Sequence, residues 1–439
     1  MNRMNHLISR RVCLALLVLL GGAQARQLKP TAYALHVTAD RAEPIYHRGE
    51  QVTFTILLTH SNQPLDGAKV KWKISRDGKE PALQEGTSVT KAGRVVLSGK
   101  LDEPGFLQCR ADFSLPGESV PTGRAGAAID PLEIKPSLPA PDDFDAFWAG
   151  QKKQLATVPA NVRLTPVTSP AAEVECFDLQ ADSALGKLSA YLARPKGAAA
   201  KSLPAIVLTH GAGVASSRLP TATKWAQDGF LALDFGAHGL PNGQPREFYA
   251  ALLRGELKDY FWKGRDSRDA IFFRELYLRL QRALDVVTAQ PEWDGKRLVV
   301  CGRSQGGGQA LVAGGLDPRV TFVAAEIPAF CDHTGITQGR INGWPRLIPN
   351  ETEKPDPKAV AAVRYYDAVN FSARSHAQSF VTIGFIDIVC PPTGVYAAFN
   401  QLPQPKRIWN HLDTGHISRA EYEAGVRDAV LAYLKQSAP

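Results

Sequence analysis

The spacing of hydrophobic and polar positions changes once along the chain, near residue 130. Before that point, apolar and polar residues alternate in short runs that are separated by turn residues such as Leu65-Asp66-Gly67. Alternation with a period of two and frequent turns is typical of the strands of a β-sandwich. We therefore predict a small, immunoglobulin-like β-sandwich over residues 27–130. Its clearest strands are predicted at residues 33–37, 51–57, 70–74, 93–97 and 105–111.

After the proline-containing residues 131–140, which we predict to be a linker, longer apolar runs alternate with helical patterns. Such alternation is typical of an α/β fold, in which helices cover both faces of a mostly parallel sheet. We predict this second domain over residues 141–439. Its strands are expected at residues 203–209, 231–235, 298–301, 320–326 and 379–384, and its helices at residues 221–228, 272–290 and 419–435.

The first 25 residues have the order of a secretory signal peptide. A basic start is followed by the apolar run at residues 12–20 and by Ala23-Gln24-Ala25, a cleavage site of small residues. The apolar run is too short to span a bilayer. We expect an exported protein, periplasmic or secreted, that has no membrane attachment after cleavage.

Composition narrows the choice of partners. The formal net charge is +8, but the basic residues are spread along the whole chain. No basic and aromatic groove is indicated, so we expect no nucleic-acid partner. The widely spaced cysteines contain no C-x-x-C pair, so neither a zinc site nor another cofactor is predicted, and a single disulfide stays open. After signal cleavage the cysteines are Cys109, Cys176, Cys301, Cys331 and Cys390.

The motif with the most specific chemistry is Gly302-Arg303-Ser304-Gln305-Gly306. It directly follows an apolar strand and directly precedes a helix of small residues. That strand–turn–helix setting is required of a G-x-S-x-G nucleophile elbow. Ser304 is therefore the predicted nucleophile, and the amide of Gln305 at the helix start is a predicted oxyanion donor.

A serine nucleophile needs a base and an acid, which in this arrangement follow it in the order acid, then histidine. His416 lies in a loop between the last predicted strand and the final helix, whereas His411 belongs to that strand. Asp387 ends a strand pattern, and Asp413 is better explained as a turn residue. We predict that Ser304, Asp387 and His416 form a catalytic triad.

The second oxyanion donor is expected from the loop after an earlier strand, Thr209-His210-Gly211-Ala212-Gly213. The backbone N–H of Ala212 is the candidate donor. His210 is expected to brace the loop and to take no part in the chemistry.

At these residues the chain resembles the acetyl xylan esterase and cephalosporin C deacetylase family of carbohydrate esterases, within the α/β-hydrolase superfamily. The resemblance implies removal of acetyl groups from sugar hydroxyls or related small esters, without a metal or cofactor. It also implies the same three catalytic residues, Ser304, Asp387 and His416. An oligomer is compatible with it. The matching segments are residues 141–148, 302–308, 316–320, 327–332 and 384–392.

Three departures from the family pattern indicate a divergent branch. The stretch that corresponds to the family's Arg-Gly-Gln motif reads Asp234-Phe235-Gly236-Ala237-His238-Gly239. Ile417 stands where a glutamate usually follows the catalytic histidine, and Ala212 replaces a frequent tyrosine. The aromatic segment at residues 260–273 is expected to cap the site. Alternatives are an esterase or peptidase of other acyl specificity and a non-catalytic carbohydrate-binding protein.

Overall fold

The structure is a computed structural model that describes residues 32–115 and 120–436. The predicted signal peptide, with Cys13, lies outside the described residues. Among the helices of the described residues, none is both long and apolar enough to cross a bilayer.

The N-terminal part consists of two facing sheets that are antiparallel except for the short parallel pair of β2 with β9. Strand β3 is the centre of a four-stranded sheet, pairing with β1, β4 and β7, and the five-stranded sheet has the order β2-β9-β8-β5-β6. Each of the five predicted strands corresponds to a strand of the structure, so the expectation of a β-rich N-terminal part is confirmed. The strands are β1 (Tyr33–Ala39), β2 (Ile45–Tyr46), β3 (Val52–His60), β4 (Gln63–Pro64), β5 (Lys69–Arg76), β6 (Gln84–Val89), β7 (Arg94–Gly99), β8 (Gly105–Asp112) and β9 (Gly123–Ile129).

Strand β9 was not predicted, because it contains no alternation. Its sequence, Gly-Arg-Ala-Gly-Ala-Ala-Ile, is small and apolar, and nearly all of it is buried. The reason is that β8 and β9 are covered on both faces. Leu107 and Ala127 point into the core of the sandwich, whereas Phe106 and Ala128 pack with the core of the second part of the chain.

The second part is built on one nine-stranded sheet of order β10-β11-β12-β14-β13-β15-β16-β17-β18. From β14 to β18 every neighbouring pair is parallel, so the predicted mostly parallel sheet is confirmed. The antiparallel strands β10 to β12 form one edge and were not predicted. The strands are β10 (Arg163–Val167), β11 (Val174–Ser183), β12 (Gly186–Pro195), β13 (Leu203–Thr209), β14 (Leu231–Phe235), β15 (Trp293–Arg303), β16 (Phe322–Glu326), β17 (Gln378–Gly384) and β18 (Lys406–His411).

Helices cover both faces of this sheet, as its apolar strands require. Helices α1, α4, α5, α7 and α8 contribute to the larger core, and α2 and α9 bury the opposite face. The parallel strands end together near the start of α5, which is where a ligand site is expected in such a sheet. The helices of the described residues are α1 (Phe144–Ala156), α2 (Leu219–Gln227), α3 (Arg246–Arg254), α4 (Phe272–Thr288), α5 (Gln305–Leu316), α6 (Pro357–Val363), α7 (Ala368–Ser372), α8 (Pro392–Gln401) and α9 (Ala420–Gln436).

The five cysteines of the described residues are free thiols, and four of them are buried. The disulfide that the sequence left open is therefore absent from this part of the chain.

Candidate active site

Three side chains meet at the carboxyl ends of the parallel strands. Ser304 Oγ lies 2.8 Å from His416 Nε2, and His416 Nδ1 lies 2.8 Å from Asp387 Oδ2. The structure thus brings together the serine, histidine and aspartate that were predicted from three separate segments. A hydroxyl, an imidazole and a carboxylate in this order can activate the serine as a nucleophile.

Ser304 occupies the tight turn between β15 and α5. Its backbone angles, φ 57° and ψ −119°, lie in a region that non-glycine residues rarely adopt. The turn is held by its own amide, which donates to the Glu326 carbonyl at 2.9 Å, and by its carbonyl, which accepts from Gly308 and Ala329. This conformation presents the hydroxyl at the end of the sheet, where the helix begins.

The glycines of the motif are required by close packing around this turn. A Cβ at Gly302 would lie 2.0 Å from Thr209 Oγ1, and one at Gly306 would lie 2.3 Å from the Thr209 carbonyl oxygen. Strand β13 therefore approaches the turn so closely that neither position has room for a side chain.

Asp387 follows β17 in a loop before α8 and is completely buried. Its Oδ1 accepts hydrogen bonds from the amides of Val389, at 2.7 Å, and Cys390, at 2.9 Å. With Oδ1 occupied in this way, Oδ2 is left for the histidine. A carboxylate there favours the proton on His416 Nδ1, so Nε2 is free to accept the proton of Ser304.

The loop that carries His416 has an anchor that was not predicted. Ser418 donates its hydroxyl proton to Glu326 Oε1 at 2.7 Å, and Glu326 is the last residue of β16. Burial raises the pKa of Glu326. The only signal for this anchor in the sequence was Glu326, a polar residue at the end of a predicted strand.

The predicted oxyanion donors lie in two segments close to the nucleophile. Gln305 is the first residue of α5 and is fully buried, and Ala212 lies exposed in the loop after β13. Gly211, the neighbour of Ala212, is so close that a Cβ built on it would lie 3.9 Å from Ser304 Cβ. The loop is therefore in contact with the elbow, as an oxyanion site requires.

The neighbouring Gly213 is held at both of its backbone groups. Its N–H donates to Tyr260 Oη at 3.0 Å, and Tyr260 in turn donates to Gln305 Oε1 at 3.2 Å. Its carbonyl accepts from His238 Nε2 at 3.1 Å. Burial lowers the pKa of His238 to about 4, so its ring is neutral at pH 7 and Nε2 carries the donated proton. Tyr260 thus links the loop after β13, which carries Ala212, to the first residue of α5.

The remaining candidates have structural partners. His210 Nε2 bonds to the buried Asp234 at 2.6 Å, which matches the bracing role expected of it. His411 ends β18 and stacks on Tyr422 with ring centroids 3.5 Å apart. Asp413 is exposed and pairs with Arg419, as befits a turn residue.

Cys390 also lies at the site, and its proximity to the nucleophile was not predicted from the sequence. Its buried thiol lies beside the Ser304 side chain, and burial raises the pKa of the thiol far above its usual range. It therefore remains a neutral thiol and is not a competing nucleophile. Within residues 32–115 and 120–436 no group of three or more histidine, cysteine or acidic residues could hold a metal ion.

Comparison with known proteins places this site within one family. The pattern of the family described as acetyl xylan esterase (AXE1) matches residues 130–436, which include the elbow, Asp387 and His416. The match begins at the end of the β-sandwich, so the sandwich lies outside the family pattern.

Individual relatives agree with this match. The chain is 32% identical to the acetyl esterase Axe7A of Xylanibacter ruminicola, over 84% of this chain and 83% of the relative. The solved acetyl xylan esterase of Paenibacillus sp. R4 is 28% identical, covers 69% of this chain and 98% of its own, and superposes with a TM-score of 0.60. Acetyl xylan esterase 1 of Thermoanaerobacterium sp. JW/SL YS485, at 24% identity and a TM-score of 0.57 over 68% of this chain and 96% of its own, shares the fold.

Proposed function

The chain belongs to the acetyl xylan esterase family and is a carboxylic ester hydrolase, and from this premise we propose that it removes acetyl groups from carbohydrate esters through Ser304, His416 and Asp387. The observation that carries the proposal is the continuous chain of contacts from Ser304 Oγ to His416 and on to Asp387, with 2.8 Å at each step. It lies within the residues that the family pattern matches.

In the first step Ser304 Oγ attacks the carbonyl carbon of the acetyl group while His416 Nε2 takes its proton. The oxyanion that forms is stabilised by the backbone N–H groups of Gln305 and Ala212. Asp387 stabilises the imidazolium but keeps its own charge. His416 then gives the proton to the departing sugar oxygen, which leaves an acetyl ester on Ser304.

In the second step a water molecule gives its proton to His416 and attacks the acetyl-serine. The same oxyanion donors act again, and collapse of the intermediate returns the proton to Ser304 and releases acetate. The reaction consumes one water and needs neither a redox partner nor a group donor.

The substrate class is supported by the relatives, which are named as acetyl esterases or acetyl xylan esterases. The expected export of the chain fits such a substrate, since plant polysaccharides lie outside the cell.

Residues 1–25 carry the proposal of export, and it is tested by the N-terminal sequence of the protein recovered from the periplasm and the medium. An N-terminus that begins at Met1 would contradict it.

The deciding experiment measures acetate released from acetylated xylan, in parallel with hydrolysis of p-nitrophenyl acetate. The wild type is compared with Ser304→Ala and with Ser98→Ala, which alters an exposed serine of β7. We expect release from both substrates, lost by several orders of magnitude in kcat for Ser304→Ala only.

Other outcomes would change the proposal in a defined way. Activity on the small ester alone would keep the mechanism and move the natural substrate to another ester. Cleavage of a peptide amide with retained Ser304 dependence would make the chain a peptidase. Equal activity of Ser304→Ala and the wild type would overturn the proposed nucleophile.

A further inference from the structure

The loop that carries Asp387 is held between the two parts of the chain. This segment, residues 385–391, is called the acid loop below. From the esterase side it is fixed by the amides of Phe385 and Ile386, which donate to the carbonyls of His411 and Thr414. The other side of the acid loop faces the β-sandwich, which lies outside the family pattern.

The contact of the sandwich with the Phe385 carbonyl comes from one cross-strand pair of residues. Gln108 of β8 and Gly126 of β9 lie directly opposite each other in the antiparallel register. Gln108 Nε2 donates to the Phe385 carbonyl oxygen at 3.4 Å, and Gln108 as a whole residue is only 3% exposed. A Cβ at Gly126 would lie 2.4 Å from the same oxygen. One residue of the pair thus supplies the donor, and the other has no side chain, so the carbonyl can approach.

Apolar contacts extend this interface in both directions. The Phe106 ring meets the buried Phe385 ring edge-on, with centroids 5.1 Å apart and planes at 89°. On the other side, a Cβ at Gly78 would lie 2.9 Å from Ile388 Cγ2. Contacts to Phe385 and Ile388 therefore bracket Asp387 in the sequence.

These contacts explain why the outward-facing residues of β8 are buried. Leu107 and Cys109 point into the core of the sandwich, so Phe106 and Gln108 point outward. Outward positions of a sandwich strand are usually polar and solvated. Here they are buried against the esterase, and the buried amide of Gln108 has the Phe385 carbonyl as its hydrogen-bond partner.

We propose that the β-sandwich supports the catalytic residues. Gln108 is a positioning residue that holds the acid loop in place and, through it, orients Asp387 and His416. The proposal rests on the function proposed above, in which Asp387 is the acid of the triad. Displacement of a catalytic group by about 1 Å can lower a rate by about 100-fold, so support from outside the esterase fold has a kinetic consequence.

The test compares Gln108→Leu with Cys109→Ala in the full chain. Gln108→Leu removes the donor at nearly unchanged volume, and Cys109→Ala alters the next residue of the same strand on its sandwich side. We expect Gln108→Leu to lower kcat for p-nitrophenyl acetate by about tenfold with KM within about twofold, and Cys109→Ala to keep wild-type kinetics. Gly126→Ala is expected to have the larger effect, because its Cβ would displace the Phe385 carbonyl.

A second readout separates positioning from general loosening of the fold. The low-field proton resonance of the His416–Asp387 hydrogen bond should shift or broaden in Gln108→Leu and remain unchanged in Cys109→Ala. Wild-type kcat and an unchanged resonance in folded Gln108→Leu would overturn the proposal and leave the triad intact. If Ser304→Ala matched the wild type, the proposed function itself would fail, which is a distinguishable result.

Discussion

At the scale of single residues, the site combines a strained serine with a fully buried carboxylate. Ser304 keeps its unusual backbone angles because three backbone hydrogen bonds and the missing side chains of Gly302 and Gly306 leave it no alternative. Both carboxylate oxygens of Asp387 have hydrogen-bond partners: two amides donate to Oδ1, and the imidazole of His416 contacts Oδ2. A substitution at either position therefore affects the orientation of the triad as well as the chemistry of the group that is replaced.

Asp387→Asn is expected to lower kcat by about 10⁴-fold, because the amide cannot hold the proton on His416 Nδ1 in the required tautomer. The measurement is kcat for p-nitrophenyl acetate at saturating substrate. Asp413→Asn is the control, since that carboxylate is 70% exposed and lies three residues from His416. A loss of less than tenfold in Asp387→Asn would mean that another group orients the histidine.

Asp77 provides a residue-scale test of stability. The residue is 2% exposed, and burial is the main cause that raises the pKa of its carboxyl to about 7. A raised pKa means that the folded state holds its proton more tightly than the unfolded state. The resulting stability is present in full below about pH 4 and is lost as pH rises through 7.

We therefore expect Asp77→Asn to gain stability relative to the wild type between pH 5 and pH 8, because the amide does not ionise. Urea unfolding at both pH values measures the difference. Asp102→Asn is the matched control, with a side chain that is 75% exposed. A wild-type to Asp77→Asn difference that is the same at both pH values would contradict the expected ionisation.

At the scale of elements, the site depends on segments that meet only in the folded chain. The aromatic segment before α4 supplies Tyr260, which bridges the loop after β13 and the first residue of α5. The segment was expected to cap the site, and in the structure its first aromatic residue contacts the two segments that carry the predicted oxyanion donors. Its hydroxyl keeps its proton, because burial raises the pKa of Tyr260 to about 12.

Tyr260→Phe should reduce kcat by about 10- to 100-fold, since Gly213 and Gln305 would each lose the partner that fixes them. KM is expected to change little, because the contacts of the hydroxyl are with the protein itself, at Gly213 and Gln305. Tyr249→Phe is the control, as it also loses a bonded hydroxyl, which donates to the Pro241 carbonyl at 2.6 Å. Equal kinetics of the two variants would rule out the bridging role.

At the scale of the whole molecule, the sandwich and the esterase share part of one core. The sandwich has its own cluster of buried residues, but Phe106 and Ala128 from its outer face belong to the cluster of the esterase. The linker between the two parts is held by Asn400 Nδ2, which donates to the carbonyls of Pro131 and Ile134. Shared burial of this kind favours cooperative unfolding of the two parts.

We expect a single calorimetric unfolding transition, lowered as a whole by Phe106→Ala. Loss of a buried phenylalanine costs about 3–5 kcal/mol through lost burial and the cavity left behind. Val96→Ala on β7 is the control, since Val96 is 63% exposed and its loss should change little. Two transitions in the wild type, of which Phe106→Ala moves only one, would show that the parts unfold independently.

The sequence by itself determined the features that depend on neighbouring residues. The strand–turn–helix pattern around Ser304 predicted the elbow, because close packing around the tight turn leaves no room for side chains at Gly302 and Gly306. Apolar periodicity predicted β13 and β14 at their observed bounds and the long helix α4 to within two residues. Chain order pointed to His416 and Asp387, because the ends of parallel strands meet at one edge of the sheet.

Only the tertiary structure decided the features that depend on what packs against a segment. Strand β9 lacks alternation because both of its faces are buried, which no local pattern reveals. The antiparallel edge strands β10 to β12 depend on pairing with β14, and the Tyr260 bridge depends on loops that are far apart in the chain. Gln108 contacts Phe385, which lies 277 residues further along the chain. From the sequence alone, a glutamine in a strand is expected to face solvent, and only the structure shows that the esterase covers it. Local rules fix an element, but burial by distant residues decides what its side chains do.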